Sequence, residues 1–471
     1  MRKNRDAEYA SIVPHARQLT HQKMEFYGFF HFTINTFTDT EWGDGTESPQ
    51  LFHPEKLDAN QWVHAIKTAG MTGAILTCKH HDGFCLWPSS YTTHTVAASP
   101  YKNGAGDIVR EVSDALHREG LAFGIYLSPW DRNHPSYGQG AAYDDYFVNQ
   151  LTELLTGYGP VFCVWLDGAC GENQEGKRQQ YDWERYYAVI RKLQPQACIS
   201  VCGPDVRWCG NEAGKTRESE WSVVPKALCD AEKVAEKSQQ KDEVSFRMQN
   251  IKSDELDLGS RVRLQAETEL IWYPSEVNTS IRPGWFYHES EDEQVKTLKE
   301  LAAVYERSVG GNATFLLNIP PTKAGLLHQN DVRRLKELGD YIKSTYAENL
   351  LLMGKLHTDG QSASMDPTRR DEYDCLYSTK EGETELTLLV RFPQKVKISR
   401  IVLMENIVYS QRIEQFELWA ETDGRQALIN RGTTVGYKKI VSFPAIEAKE
   451  LVLKITDARD CIHLFFLGIY T

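Results

Sequence analysis

A basic surplus is missing from this chain of 471 residues: 53 Lys and Arg stand against 65 Asp and Glu, for a net charge of −12. Without runs of Lys or Arg there is no electrostatic footprint for a phosphate backbone or an anionic bilayer, and nucleic acid is not an expected partner. Long hydrophobic runs are missing too. The longest, such as Val161–Leu166, fall far short of the roughly 20 residues that cross a bilayer, so no membrane span is expected. Ten cysteines in 471 residues are too sparse for a disulfide scaffold, and with no Cys-x-x-Cys pair among them structural zinc is not expected. No Gly-x-Gly-x-x-Gly follows the first apolar run, which argues against a dinucleotide fold. The first ten residues carry charge and no apolar signal core, as expected of a cytoplasmic chain or of one whose leader has been removed. The sequons at Asn278 and Asn312 lie inside apolar segments and carry little weight.

What is present is an ordinary globular composition, 41% hydrophobic and 25% charged, laid out in repeats of short apolar runs and amphipathic stretches. The spacing predicts strands over 25–35, 72–78, 121–128, 161–166, 198–202 and 314–318, with helices between them. Ile108, Val112, Ala115 and Leu116 share one helical face, closed by Gly120. Tyr143, Phe147, Leu151, Leu154 and Tyr158 form a second such stripe. About 320 to 330 residues of βα units suit a (β/α)8-like TIM barrel, with a doubly wound sheet as the runner-up. The stretch near 225–262 is polar and reads as a surface insertion. Beyond about residue 350, short alternating runs between Gly, Asp and Pro turns predict an all-β module. The expected division is a catalytic α/β barrel over 1–348 and a C-terminal β-sandwich over 349–471. With no clear sugar site of its own, the second part is expected to cover the barrel's flank.

In a βα barrel the chemistry gathers where strands end, and those segments are polar and aromatic. They hold His31, Asn35, Glu41 and Trp42, then Lys79-His80-His81-Asp82-Gly83-Phe84, Ser128-Pro129-Trp130-Asp131, Trp165-Leu166-Asp167-Gly168, the segment Gly203 to Glu212, and Ile281-Arg282-Pro283-Gly284-Trp285. Eight of the 11 Trp fall in such segments, either as a platform for the apolar face of a sugar or as large rings filling long loops. The two-residue pleat aims Cys163, Trp165 and Asp167 to one side, which places an acid at the mouth. A glycosidase needs a second carboxyl group. Glu41, Glu47, Glu212, Glu218 and Glu220 are the candidates, and Glu212 stands out in a Gly/Asn/Trp-rich loop. Glu218 and Glu220 flank Arg217 and read as solvated or paired. Adjacent His80 and His81 would point oppositely on a strand and lack a third ligand, so hydrogen bonding to substrate is expected there rather than a metal.

Taken together these segments resemble glycoside hydrolase family 29, the α-L-fucosidases, over nearly the whole chain. Lys79–Phe84 and Trp165–Gly168 are its specific carriers, joined by His31-Phe32, Glu41-Trp42-Gly43, Gly210-Asn211-Glu212, Ser280–Tyr287 and Leu316–Pro321. The resemblance implies exo-acting, retaining double displacement on fucosylated oligosaccharides, with no metal or organic cofactor. It makes Asp167 the nucleophile and Glu212 the general acid/base. It makes His31, Glu41, Trp42, His80, His81, Tyr126, Trp165 and Trp285 the fucose-binding set. The loops at 42–45, 128–130 and Glu212 resemble the subgroup that prefers α-1,3 or α-1,4 fucose on Lewis-type glycans. Two positions depart from the family pattern, Thr33 and Gly311-Asn312-Ala313. Thr33 adds a Cβ beside His31 and is expected to narrow the pocket or alter linkage preference. A barrel glycosidase for another sugar such as galactose, or a catalytically silent fucose-binding module, are the alternatives.

Overall fold

The computed structural model describes residues 2–358, 361–362, 375–422 and 424–471. Eight parallel strands form the first sheet: β1 (Phe26–Phe30), β2 (Gly73–Lys79), β3 (Ala122–Leu127), β4 (Val161–Leu166), β5 (Cys198–Val201), β6 (Arg207–Trp208), β9 (Ser275–Ser280) and β10 (Ala313–Asn318). A short antiparallel pair, β7 (Val223–Pro225) and β8 (Leu270–Trp272), lies between β6 and β9 in the chain. The parallel strands run in the order β5-β4-β3-β2-β1-β10-β9-β6, and a bridge between Ser200 and Val206 brings β5 back to β6. The result is the expected α/β TIM-like barrel, with a seam where no helix separates β5 from β6.

Helices α4 (Ala59–Thr68), α5 (Ile108–Arg118), α6 (Ala141–Gly157), α7 (Trp183–Leu193), α11 (Leu298–Ser308) and α12 (Gln329–Thr345) surround the barrel, each following a strand. Their starts are written in the sequence: Asp58, Asp107, Asp182 and Thr297 each accept hydrogen bonds from the first-turn amides of α4, α5, α7 and α11. Val164 and Leu166 of β4 pack outward against the helices, whereas Cys163 and Trp165 join Tyr27, Phe29, Tyr126 and Leu316 inside the barrel. The N-terminal helix α1 (Arg2–Ala10) precedes α2 (Ala16–Met24), which lies across the barrel floor. There Gln18 Nε2 donates to the carbonyls of Asp205 and Trp272, and Gln22 Oε1 accepts from Trp272 Nε1.

The first strand stops five residues short of the expected span. Thr33 ends the extended run by accepting the Asn35 N–H at 3.2 Å, which caps the one-turn helix α3 (Ile34–Thr38). Its hydroxyl also donates to Asp82 Oδ2 at 3.3 Å, so Thr33 braces two loops from behind. The strand β9 was not expected at all, because its residues are mostly polar although every one is buried.

The polar stretch near 225–262 contains α8 (Ala231–Lys237), α9 (Val244–Arg247) and α10 (Arg261–Leu264). Beyond the barrel, β11 (Lys355–Thr358), β12 (Gln361–Ser362), β13 (Tyr377–Ser378), β14 (Leu386–Glu405), β15 (Ile413–Thr422), β16 (Arg425–Gly432), β17 (Lys439–Ala458) and β18 (His463–Tyr470) pair antiparallel as a β-sandwich. Bulges after Arg391 and Ile398 let the 20-residue β14 bend, so that its two halves face one apolar core. This module is stitched to the barrel. Asn312, in a left-handed conformation at φ 62°, donates to the Glu220 carbonyl at 3.0 Å and accepts from Tyr437 N at 2.8 Å. Among the described residues no helix is long and apolar enough to cross a membrane.

Candidate active site

A cavity opens at the C-terminal ends of the strands, and its wall includes His31, Glu41, Trp42, His80, His81, Trp165, Asp167, Glu212 and Trp285. Nine of the ten residues singled out from the sequence therefore meet there. Tyr126 is the exception: it lies beneath the wall and donates its hydroxyl to Asp167 Oδ2 at 2.8 Å.

Local sequence explains how these side chains are aimed. His80 and His81 were expected to point apart, but β2 ends at Lys79 and both rings turn into the cavity, 4.0 Å apart. The turn that carries them closes through Gly83 N–H to the His80 carbonyl, with Gly83 at φ 80°. A Cβ there would lie 2.5 Å from Asp131 Oδ1, so the glycine is needed twice over. Below the turn Lys79 and Asp131 form a fully buried pair at 2.9 Å. Asn211 knots the loop after β6: its side chain accepts from Ala213 N and Lys215 N and donates to the Lys215 carbonyl, presenting Glu212 at the tip.

The two carboxyl groups in the cavity have different surroundings. Asp167 accepts from Tyr126 and, at 3.0 Å, from Ala169 N; burial raises its carboxyl while these donors pull it back. Burial pushes Glu212 up to about 7, opposed by one hydrogen bond from Trp285 Nε1 at 2.8 Å and reinforced by the negative charge of Asp167. Glu41 is the reverse case. Burial opposes its ionisation, but His288, the amides of Trp285 and Phe286, and Arg247 hold its carboxyl below the usual range. Gly284 permits that cluster, since a Cβ there would stand 2.6 Å from Glu41 Oε1. The hydrogen bond to Glu41 in turn raises His288 to about 9.

Burial lowers all three cavity histidines, His31 to about 4 and His80 and His81 well below the usual range, so each ring is neutral. Their partners fix the tautomers. Asn318 donates both amide protons elsewhere and takes His31 Nδ1–H at 2.8 Å, leaving Nε2 as an acceptor. Ser128 donates to the Trp130 carbonyl and takes His81 Nδ1–H at 2.8 Å, again leaving Nε2 as an acceptor, 3.8 Å from Asp167. Asn35 Nδ2 lies 3.4 Å from His80 Nδ1, which puts the His80 proton on Nε2.

Sequence reasoning missed other members of the wall: Phe29, Asn278, and Ser238, Gln239 and Phe246 from the polar insertion; Trp208 was singled out as a strand-end ring but not placed in the binding set. The insertion is thus not only a surface excursion. Its Arg247 reaches Glu41 at 2.9 Å and ties the insertion to the wall. Of the eight strand-end Trp, four line the cavity; Trp87, Trp221 and Trp272 are buried in packing elsewhere, and Trp130 backs Trp42 at 5.4 Å between ring centres. Thr33 is not on the wall, so the expected narrowing of the pocket does not arise from it directly. Glu220 is buried between Arg207 and Arg217 and belongs to the scaffold.

This cavity can be set beside those of known proteins. Residues 7–347 match the α-L-fucosidase family model. α-L-Fucosidase 1 of Arabidopsis thaliana is 36% identical over 468 residues, covering 97% of this chain and 87% of that protein. A glycoside hydrolase 29 family member from an unknown rumen bacterium superposes with a TM-score of 0.81 at 38% identity, covering 98% of this chain and 77% of that one. A Ruminococcus gnavus fucosidase in complex with fucose superposes with a TM-score of 0.83 at 27% identity, covering 98% of this chain and 95% of that one. A barrel whose mouth gathers two carboxyl groups, neutral histidines and tryptophan rings, over a chain matched so nearly end to end, belongs to the α-L-fucosidases of glycoside hydrolase family 29.

Proposed function

We propose that this glycosidase is exo-acting and retaining, and that it removes α-1,3- or α-1,4-linked fucose from the tips of branched, Lewis-type oligosaccharides. The observation that carries the reading is the contrast between the two carboxyl groups of one cavity. Glu212, lifted to about 7, holds a proton near neutrality, while Tyr126 and Ala169 donate to the anion of Asp167. Asp167 is then the nucleophile. Its carboxylate oxygen bonds to the anomeric carbon as the glycosidic C–O bond breaks, and Glu212 gives its proton to the leaving oxygen. In the second half, Glu212 takes a proton from water as that water attacks the anomeric carbon and releases Asp167.

The remaining wall suits a deoxy sugar. His31 and His81 offer Nε2 as acceptors and His80 offers Nε2–H as a donor, which matches three ring hydroxyls. Trp42, Trp165 and Trp285 supply faces for C–H bonds and the C5 methyl. Glu41, with four donors already on its carboxylate, shapes the wall and accepts from a hydroxyl only at its edge. The linkage assignment rests on the resemblance of the loops at 42–45, 128–130 and Glu212. Arg132 and Asn133 bind the Gly43 and Gly45 carbonyls at 2.6 and 2.8 Å, so the first two of these loops form one rim. Fucose bound to the Ruminococcus gnavus neighbour supports the choice of sugar.

The test is free fucose released from a Lewis-type trisaccharide with 2′-fucosyllactose run in parallel, the first anomer formed being read by NMR. Release from the branched glycan alone, with α-fucose appearing first, is expected. β-Fucose first would overturn retention, release from 2′-fucosyllactose alone would overturn the linkage, and turnover of an aryl galactoside but no fucoside would overturn the sugar.

A further inference from the structure

Two half-buried rings stand on the Glu212 side of the cavity with no partner in the chemistry described so far. Trp208, at the end of β6, holds its indole by donating Nε1–H to Asn278 Oδ1 at 2.9 Å. Phe246, from α9 of the insertion, lies nearly parallel to it, with ring centres 6.2 Å apart and 13° between planes. Both line the same cavity as Asp167 and Glu212. Exposed aromatic faces lose free energy to water unless something covers them, and here the stacked pair adds an apolar shelf to the cavity wall that also carries the acid.

The placement of that shelf is set by hydrogen bonds. Gln249 Nε2 donates to the Gly210 carbonyl at 3.4 Å, and Lys215 Nζ donates to the Met248 carbonyl at 3.0 Å and to Asn250 Oδ1 at 2.7 Å. These contacts join the segment just after Phe246 to the loop that presents Glu212. An acid that protonates the leaving oxygen must lie within hydrogen-bond reach of it, so the leaving sugar occupies the Glu212 side of the anomeric carbon. The fucose side is already enclosed by His31, His80, His81 and Trp165.

We propose that Trp208 and Phe246 form the subsite for the leaving-group sugar, accepting the C–H face of a hexose, and that Phe246 makes the enzyme prefer a glycan leaving group over a small one. This rests on the reading of Asp167 and Glu212 given above. Polar partners for that hexose stand beside the shelf in Gln239 and Ser238 of the same insertion. Residues over 238–246 thereby select the glycan, while the barrel strands hold the fucose.

The test compares kcat/KM on the oligosaccharide that the wild type cleaves best with kcat/KM on α-fucosyl fluoride, whose leaving group has no face to stack. In Phe246→Ala the oligosaccharide-to-fluoride ratio is expected to fall roughly tenfold, the size of about 1.4 kcal/mol of lost contact. Phe246→Tyr is expected to restore it, and Phe246→Leu, which keeps apolar volume without a ring, to restore it only in part. An unchanged ratio in Phe246→Ala, whether or not both rates drop together, would overturn the subsite. So would a wild type that hydrolyses the fluoride but no oligosaccharide. A wild type that hydrolyses neither would instead overturn the fucosidase reading beneath it.

Discussion

Replacing Trp285 with phenylalanine keeps a ring in the cavity wall and removes the indole N–H that Glu212 Oε2 accepts at 2.8 Å. At Glu212 burial raises the carboxyl and this hydrogen bond lowers it, with burial prevailing at about 7. A hydrogen bond to a charged group contributes about 1.5–3 kcal/mol. Both side chains are only partly buried and water can fill some of the vacated space, so the low end applies. At ~1.4 kcal/mol for each pKa unit, Glu212 moves up by about one unit. As a general acid it works protonated, and activity is lost as pH rises through its pKa. The alkaline limb of kcat/KM for fucose release therefore moves to higher pH by about one unit. The acid limb reports Asp167 losing its proton and stays in place. An alkaline limb that does not move, or that moves to lower pH, would refute the assignment of that proton to Glu212.

Asp167→Asn preserves shape but removes the attacking anion, and kcat is expected to fall on the order of 10³-fold or more while the melting curve is retained; full turnover would remove Asp167 from the mechanism. Asp131→Asn leaves the Lys79 ammonium charged and unpaired where both side chains are fully buried. That costs about 3–5 kcal/mol and should lower Tm by on the order of 5 °C or more in a thermal scan; a Tm within one or two degrees of the wild type, about the size of a surface change, would contradict it. Arg247→Met leaves Glu41 with its other three donors but frees the insertion from the wall, so backbone amides over 238–247 should exchange severalfold faster by hydrogen-exchange mass spectrometry. Unchanged exchange there would mean that the ion pair does not hold the insertion down.

How much of this was legible in the sequence depends on where each element buries its residues. The strand Val161–Leu166 is apolar on both faces and matches its expected limits residue for residue. β9 is just as buried, but Glu276, Asn278 and Ser280 alternate with Val277 and Thr279, and a polar barrel interior carries no apolar run to find. Glu276 is typical: it accepts from Trp165 Nε1 at 2.8 Å and from Tyr27, a use no hydropathy pattern announces. Alternation misled at His80 and His81 because the period of two holds only while the strand lasts, and β2 ends one residue earlier. The insertion was misjudged from its charged outer faces. Its one signal was Phe246, the single aromatic residue between Trp221 and Trp272. Tyr126 was found but misplaced by one layer, a difference of depth that a linear pattern does not encode.

The helix across the barrel floor bears on the order in which products of the proposed reaction would leave the cavity above it. With Gln18 and Gln22 sealing the N-terminal ends of the strands, and Phe29, Tyr126 and Trp165 filling the interior, the cavity is served from its mouth. In the proposed double displacement the sugar against His31, His80 and Trp165 is the deeper of the two products, and the one on the Glu212 side blocks its exit. On that reading the shallower product leaves first and a water molecule takes its place, and the enzyme would pass through a state holding one fragment alone. Free fucose then competes directly with fresh substrate, whereas the released glycan re-enters a different form of the enzyme and slows it in a different way.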